Sequence, residues 1–475
     1  MGRHRLVGCP APHSQPRRAW QCDRRQRHGG RGRAQFRRVG RGRSYRGRRH
    51  QEYRCRPRQW PYAGDADGSV RAAQSAGATP VSPPAPSTHS LYLLDPDPGP
   101  AWAPFAGIRP LSELRAGAHL VRERWETFVG VEATAIFALP HLTGFPEPGV
   151  PRVEARRPVS GPAVIGSSTF APRGLAGPLP DAPARLTHDG ITVGWSVPAG
   201  TTWNGPLSNA RAVSVEGVLL HGVYDLIGCL EQLLREDVLK LLGDSDPVPK
   251  GSTVIGDPAW ISLREAAIEP GVIFDTRNGP VVLESGVEVR SGTRLEGPVW
   301  VGANTRVVGG PIRISAIGPW CVIRGEMSTT VILGYSNKSH EGFVGHSVLG
   351  RWVNLGAGTT TSNLKNTYGP VRSEVAGTTL ETGQQFLGSL FGDHAKTAIG
   401  TLLPAGAVVG AGASVFDGVR APKYVAPFAW GGSTSERMTQ QKFLSVVERV
   451  FPRRHVEVSD SMKSFLIRAY DWLVQ

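Results

Sequence analysis

A chain of 475 residues has room for two or three domains, because a single domain usually spans about 100–200 residues. Its 59 glycines and 39 prolines favour a turn-rich architecture over a helical bundle. No apolar run approaches the roughly 18–20 residues of a membrane-spanning helix. The five scattered cysteines form neither a disulfide framework nor a zinc-binding spacing. Composition therefore predicts a soluble, cytoplasmic protein with no membrane partner and no metal site.

The net charge of +15 is concentrated in the first 90 residues. They hold 20 Lys and Arg against 4 Asp and Glu, whereas the rest of the chain holds 34 and 35. Arg–Gly stretches such as Arg41–Arg43 have no helical or strand period, and such a segment buries too little apolar surface to offset its ordering entropy. We therefore expect residues 1–89 to be a disordered Arg/Gly-rich tail that ends in a Pro-rich linker at Pro80–Pro86.

Two roles are open for this tail. Arg–Gly repeats can contact phosphate and stack on bases, which would make it a nucleic-acid-binding arm. It can also be an upstream extension without a role, which is the interpretation we favour. Nucleic acid is therefore not expected as a partner.

The part after the tail is predicted to begin with an α/β domain over residues 90–250. Leu91–Leu94 is typical of a short apolar strand. Apolar residues at helical spacing predict one helix over 111–125 and a clearer one over 226–242.

From about residue 251 the apolar period becomes six. Aliphatic or aromatic residues recur at this spacing in successive blocks, namely Leu283, Val289, Leu295, Val301, Val307, then Ile317, Ile323, then Phe343, Leu349, Leu355, and finally Leu403, Val409, Val415. This period is typical of a β-solenoid, in which each hexad supplies one short strand and one turn. A β-sandwich of alternating strands would not keep one fixed spacing across five repeats. We therefore predict a hexapeptide-repeat β-helix over 251–430, with the repeated side chains inside a triangular prism.

The last segment, 431–475, is predicted to be helical. Apolar residues at helical spacing indicate amphipathic helices over 439–451 and 461–473, separated by Pro452. Their expected role is to cover the end or side of the β-helix, where an open coil would otherwise present strand edges.

Polar side chains cluster where the hexad pattern breaks, over residues 324–342. The cluster comprises Arg324, Glu326, Tyr335, Asn337, Lys338, His340 and Glu341. Insertions into a solenoid tend to fall on one face, often the binding face, so an insertion is expected here. A histidine, whose ordinary pKa is about 6.5, is a suitable general base for an amine or hydroxyl nucleophile. His340 is thus either a general base or a structural histidine.

Residues 318–416 resemble the acetyltransferase half of the bifunctional bacterial enzyme that acetylates and uridylylates glucosamine-1-phosphate. The matching stretch runs from His340 to Asn363 and includes Asn354-Leu-Gly-Ala-Gly358. The resemblance implies a left-handed parallel β-helix in which His340 is the catalytic base and Asn354 and Asn363 bind the sugar. It also implies acetyl-CoA contacts at Ala357, Ser389 and Ala411, and a phosphate contact at Arg324, which follows Gly318-Pro-Trp320.

Some positions depart from that family. Ser328 stands where the family has a substrate-holding lysine, and Lys338 is the residue that could compensate as a substrate contact. The domain at 90–250 lacks the family's Gly-rich phosphate loop and is short, so it is similar to a truncated nucleotidyltransferase domain. Tyr335–His340 and Ser362–Asn366 instead resemble a divergent branch of sugar nucleotidyltransferase-related proteins.

Three functions remain open at this stage. The first is acetyl-CoA-dependent acyl transfer to an amino sugar phosphate or nucleotide sugar, with His340 as base. The second is a Mg²⁺-dependent sugar-1-phosphate nucleotidyltransferase in the first domain, whose weak candidate residues are Arg109, Arg115 and Asp225. The third is a non-catalytic solenoid that binds nucleotide sugars. The resemblance further implies a homotrimer, and a role in cell-envelope polysaccharide synthesis is the pathway expected.

Overall fold

The computed structural model describes residues 89–174, 179–243, 245–418, 420–431 and 436–475. The tail and linker predicted for residues 1–89 lie outside the described residues except for His89, so that prediction stays untested. Within the described ranges, no helix is long and apolar enough to cross a membrane.

The first domain is built on a seven-stranded mixed sheet, as the predicted α/β class requires. In spatial order the strands are Arg211–Ser214, Ala184–His188, Ile191–Val197, Ala163–Ser167, Ser90–Leu94, Ala133–Phe137 and Arg152–Glu154. The predicted strand at Leu91–Leu94 lies near the centre and is parallel to both of its neighbours. Its position explains its continuous apolar sequence, since central parallel strands are buried on both faces.

Three short two-stranded ladders complete this domain. They pair Arg115–Ala116 with His119–Leu120, Val159–Ser160 with Thr202–Trp203, and Phe170–Pro172 with Gly217–Leu219.

Helix α1, Val121–Val129, begins ten residues later than the sequence predicted. The preceding residues form a 3₁₀ turn at Leu111–Glu113 and then the short ladder that ends at Leu120. Gly117, at a φ of +71°, makes the tight turn of that ladder, and this local turn chemistry overrides the helical spacing. The backbone N–H of Leu120 donates to Glu123 at 2.8 Å, which stabilises the new helix start.

The helix predicted over 226–242 is confirmed, with a break. It consists of α2, Asp225–Gly228, and α3, Leu230–Lys240, which meet at Cys229. The predicted apolar residues of α3 are buried, including Leu233 and Val238.

Parallel strands form a β-helix with three faces from Thr253 to Val425, and the predicted hexapeptide-repeat class is confirmed. Strands that lie on the first face are Thr253–Ile255, Ile273–Asp275, Phe343–Gly345, Thr360–Thr361 and Leu402–Leu403. Those on the second are Ile261–Leu263, Val281–Leu283, Val348–Arg351, Ser389–Phe391, Ala407–Val409 and Tyr424–Val425. Three longer strands bend from the first face onto the second: Thr293–Val301, Gly310–Ile317 and Glu326–Gly334.

The third face carries eight two-residue strands, one in each successive coil. They are Ala267–Ile268, Glu288–Val289, Arg306–Val307, Val322–Ile323, Asn337–Lys338, Asn354–Leu355, Lys396–Thr397 and Ser414–Val415. The first residue of each pair points outward and the second points into the prism. This register places Asn337, Asn354 and Lys396 in one column on the outer surface.

The interior of the prism contains the predicted hexad residues, with one exception. Leu283, Val289 and Leu295 are fully buried together with most of the other repeated residues. Phe343 is only partly buried, and its neighbour Val344 is the inward residue of that strand. The hexad spacing is therefore shifted by one position at this coil.

The insertion lies elsewhere than predicted. Residues 324–342 run through the coils without interruption, because their strands pair with the coils on both sides. The insertion occurs between Thr361 and Ser389 and carries an antiparallel hairpin, Arg372–Val375 with Thr378–Glu381.

The second face of the β-helix packs against the first domain. Its outward side chains, including Val282, Ala316 and Val331, belong to the same core as α1 and α3. Inward neighbours such as Ile317 belong to the separate core of the prism. The two-sided burial of this face thus fixes the first domain on the β-helix.

Aromatic residues line the corner between the second and third faces. The corner is occupied by Trp320, Tyr335, Trp352 and His394 in successive coils and, after one coil with Gly412 at this position, by Phe428. Each of the five aromatic residues has a positive φ between +55° and +64°. A positive φ is uncommon for such bulky residues, so the surrounding packing must maintain it.

The C-terminal helices cover this aromatic corner, as a side-covering role predicts. They are α4, Gln440–Val450, and α5, Asp460–Val474, with a 3₁₀ turn at Phe451–Arg454 between them. The ring of Phe451 stacks on that of Trp352 at a centroid distance of 3.8 Å. Both predicted helices are confirmed, and the 3₁₀ turn starts where Pro452 interrupts α4.

Candidate active site

A cavity of about 350 Å³ lies on the third face of the β-helix. Its base is the column formed by Asn337, Asn354 and Lys396, and its opposite side is Val450, Arg453 and Arg454 at the end of α4. Ser339, His340, Val353 and the corner aromatics Tyr335 and Trp352 complete the lining. We call it the third-face cavity. The volume lies within the range of about 300–1,000 Å³ that is usual for ligand sites.

Two predicted site residues meet in this cavity, His340 and Asn354. The amide of Asn337 donates to Asn354 Oδ1 at 2.6 Å, which leaves the remaining amide groups available to a ligand. The sequence contained Asn337 in its polar cluster but gave no reason to pair it with Asn354, because the two residues are separated by a full coil.

His340 is exposed and lies in the turn from the third face to the first. This turn is held in place by Lys338, whose side chain points into the prism and is 1% exposed. Its ammonium donates to the backbone carbonyls of His340 and Glu341, the latter at 3.0 Å. Lys338 therefore positions the turn that carries His340. Its contact with substrate stays a prediction, and its side chain is buried in the single chain.

Burial lowers the pKa of Lys338 to about 8, although the Glu341 carboxylate opposes the shift. Burial alone lowers the pKa of Lys396 to about 8, and its ammonium donates to the His394 carbonyl at 2.9 Å. Two lysines in one region thus lose their charge at a lower pH than an exposed lysine would.

The lowered pKa of Lys338 gives a testable dependence of stability on pH. Between about pH 8 and 10.5 the unfolded chain binds more protons than the folded chain, so the free energy of unfolding should rise with pH across this window. Lys338→Met should reduce that slope while Lys396 maintains part of it. Urea unfolding of both proteins at several pH values measures the slopes, and equal slopes would contradict the buried position of Lys338.

Arg324, the predicted phosphate contact, lies outside the third-face cavity. Its guanidinium is exposed, pairs with Glu341 at 2.7 Å and donates to the Val308 carbonyl at 3.3 Å. Its contact with phosphate stays a prediction, because within one chain its side chain is engaged by this acidic neighbour.

Asn363 is likewise not in the cavity. Its side-chain amide lies 2.8 Å from Nδ1 of His346, whose ring stacks on Phe386 at 5.2 Å. Burial, together with the Arg313 guanidinium, lowers the pKa of His346 to about 4, so this ring is neutral at pH 7. Within one chain, the structure therefore brings His340 together with Asn354 and Asn363 together with His346.

The three predicted coenzyme contacts differ in exposure. Ala357 is half-buried beside Gly358 at the edge where the third face turns into the first. Ser389 and Ala411 are both fully buried, Ala411 in the core shared with the first domain. Their contact with acetyl-CoA stays a prediction, and only Ala357 has surface in the single chain.

The candidate residues of the first domain have structural partners. Arg109 is buried and pairs with Glu147 and Asp393. Arg115 is buried and lies over the ring of Trp300 at 4.5 Å. Asp225 accepts from the His221 backbone N–H at 2.7 Å. No group of three or more potential metal-ligating side chains occurs among the described residues.

Lys396, Arg453 and Arg454 are site residues that sequence reasoning missed. The signals available were two adjacent arginines after Pro452 and a polar residue at the outward position of a hexad. Neither signal locates the residues, because the cavity forms only when the chain end packs on the aromatic corner.

The fold and the site define a hexapeptide-repeat β-helix protein with an α/β domain on its second face. No protein-family model matches the chain. Over 148 residues it is 32% identical to a bifunctional sugar-1-phosphate nucleotidylyltransferase/acetyltransferase of Sulfurisphaera tokodaii, a match covering 30% of this chain and 36% of that protein. Over 85 residues it is 33% identical to the bifunctional protein GlmU of Methanococcus vannielii, covering 18% and 20%.

These matches show that the chain is related to the family of bifunctional sugar-1-phosphate nucleotidyltransferase/acetyltransferases, as its motifs predicted. The matched part spans about a third of one relative's length and a fifth of the other's.

Proposed function

We propose that the protein is a transferase that moves an acetyl group from acetyl-CoA to the amine of a sugar phosphate or nucleotide sugar, with His340 as general base. The observation that carries the proposal is the position of His340 at the edge of the third-face cavity, beside Asn354. The Sulfurisphaera tokodaii relative, whose name includes acetyltransferase, supports it.

The chemistry assigned to the site is a single acyl transfer. The acceptor nitrogen attacks the thioester carbonyl carbon, a C–N bond forms, and the C–S bond breaks. His340 takes the proton that the amine loses, and the departing thiolate of coenzyme A is protonated to the free thiol. Asn337 and Asn354 would orient the sugar hydroxyls, since a side-chain amide can donate and accept at the same time.

A separate groove on the first face has features that suit the coenzyme. It measures about 660 Å³ and combines Leu402 and Pro404 with the cations Lys365, Arg420 and Lys423. Apolar and cationic surface together suit pantetheine and its attached phosphates. Ala357 lies in the turn between Asn354, which lines the third-face cavity, and Thr360, which lines this groove, and we assign its contact with acetyl-CoA to this turn.

Acceptor-dependent thiol release tests the proposal. The full chain should release free thiol from acetyl-CoA when glucosamine 1-phosphate or another amino sugar phosphate is present. Tight binding of the coenzyme and of nucleotide sugars with no thiol release for any acceptor would favour the non-catalytic solenoid instead. Pyrophosphate release from a nucleoside triphosphate and a sugar phosphate would indicate the nucleotidyltransferase alternative.

We also propose a homotrimer. Large apolar side chains are exposed in and near the inserted segment and on the first face, namely Tyr368, Phe386, Ile399 and Leu402, with Ile399 78% exposed. An apolar patch of this kind is typical of a protein–protein interface. Light scattering should give a mass of three chains, and Leu402→Glu should shift it towards one chain. A monomeric wild-type protein at micromolar concentration would contradict the trimer.

A further inference from the structure

The third-face cavity is cationic. Lys396, Arg453 and Arg454 line it, and no acidic side chain is among its lining residues. Concave sites lined by charges of one sign attract ligands of the opposite sign. The charge points to an anionic group on whatever occupies the cavity.

Arg453 has its guanidinium free to bind a ligand. The side chain is exposed, and among the described residues it has no hydrogen-bond or ion-pair partner. A guanidinium has five N–H donors whose planar arrangement matches a phosphate group. Arg453 is therefore the group in this cavity best able to contact an oxyanion directly.

Contacts with the aromatic corner hold the segment that carries Arg453 and Arg454 in place. Phe451 is 3% exposed and lies between the rings of Trp352, at 3.8 Å, and His394, at 5.8 Å. Arg454 Nε donates to the Trp320 carbonyl at 3.0 Å. These contacts fix the backbone of the pair and the Arg454 side chain, so less entropy is lost there when the pair binds a ligand.

Lys396 contributes a positive charge to the same anion-binding subsite from the opposite side of the cavity. Its outward position in the column places it next to Asn354, and one of its three donors is used by the His394 carbonyl. A bound anion would compensate for the burial that disfavours its charge.

We propose that Arg453, Arg454 and Lys396 bind the phosphate of the acceptor, so that the C-terminal segment forms part of the acceptor site. This inference rests on the proposed function for the identity of the acceptor. It moves the phosphate from Arg324, which pairs with Glu341, to a set of cations that no carboxylate among the described residues pairs with. The anionic half of the coenzyme is assigned to the first-face groove, whose own cations are Lys365, Arg420 and Lys423.

The test compares binding of glucosamine 1-phosphate and of glucosamine to the full chain by calorimetry. Arg453→Ala should raise the Kd for glucosamine 1-phosphate at least tenfold and leave the Kd for glucosamine unchanged. Arg453→Lys should restore part of the affinity, since lysine keeps the charge but loses the planar donor arrangement. Arg449→Ala is the matched control, because Arg449 is an exposed arginine of α4 that does not line the cavity. It should change neither value.

Two kinds of outcome would overturn the inference. One is an unchanged Kd for glucosamine 1-phosphate in Arg453→Ala, or a larger loss in Arg324→Ala. The other is that Arg453→Ala loses more affinity for adenosine 3′,5′-bisphosphate, the anionic half of the coenzyme, than for glucosamine 1-phosphate. Binding is measured without turnover, so the proposed function fails separately. Arg453-dependent phosphate binding without acetyl transfer to any acceptor would overturn only the acyl transfer.

Discussion

Replacement of His340 by alanine should lower kcat for acetyl transfer by about 10²–10⁴-fold, the usual contribution of a general base. The side chain is exposed and lies at the edge of the third-face cavity, so its removal leaves no buried gap and should not affect the fold. The Kd of the sugar phosphate should change little, because the phosphate is assigned to other residues. Thiol release at saturating acetyl-CoA measures the effect.

His346 provides the comparison for this experiment. It is six residues further along, half-buried and hydrogen-bonded to Asn363, with a pKa lowered to about 4 by burial. It is thus a neutral imidazole that follows the strand Phe343–Gly345, whereas His340 lies in the turn that precedes this strand. His346→Ala should retain most of the turnover. If instead His346→Ala abolishes turnover and His340→Ala does not, the base has been assigned to the wrong histidine.

Arg109→Ala should destabilise the protein by about 3–5 kcal/mol, the usual cost of removing one partner of a buried ion pair. The Arg109 guanidinium is fully buried and lies 2.6 Å from Glu147 and 2.8 Å from Asp393. These acids belong to different domains, and Asp393 also accepts from the Arg351 backbone N–H at 2.9 Å. The substitution leaves the buried Asp393 carboxylate and the partly buried Glu147 carboxylate with fewer compensating donors where the first domain meets the β-helix.

Urea unfolding followed by tryptophan fluorescence measures this loss. Arg372→Ala is the matched control, because Arg372 pairs with Glu381 at 2.8 Å on an exposed hairpin. An exposed pair contributes only about 0–1 kcal/mol. Equal losses in the two variants would show that the Arg109 network does not join the domains.

Much of the β-helix could be predicted from the sequence because its rule is local. One inward side chain recurs in every short strand, so Leu283 and Val289 reveal the prism without knowledge of the rest of the chain. The rule fails where an inward position is polar. Lys338 fills such a position, and its buried ammonium is satisfied by backbone carbonyls that no spacing could predict.

The candidate site was only partly predictable for the same reason. His340 and Asn354 stand in one motif, and the structure places both on one cavity. Arg453 is almost a hundred residues further along the chain, and it reaches that cavity only because Phe451 packs between two corner aromatics. Asn363 belongs to the same motif as His340, yet the turn at Gly358 carries the chain onto another face before it.

The most direct measurement of the central claim is an experimental structure of the full chain with glucosamine 1-phosphate and coenzyme A. We expect the acceptor amine within hydrogen-bond distance of the His340 imidazole, about 3 Å, and the phosphate against Arg453. An acceptor bound elsewhere, or a coenzyme whose sulfur cannot approach His340, would contradict it.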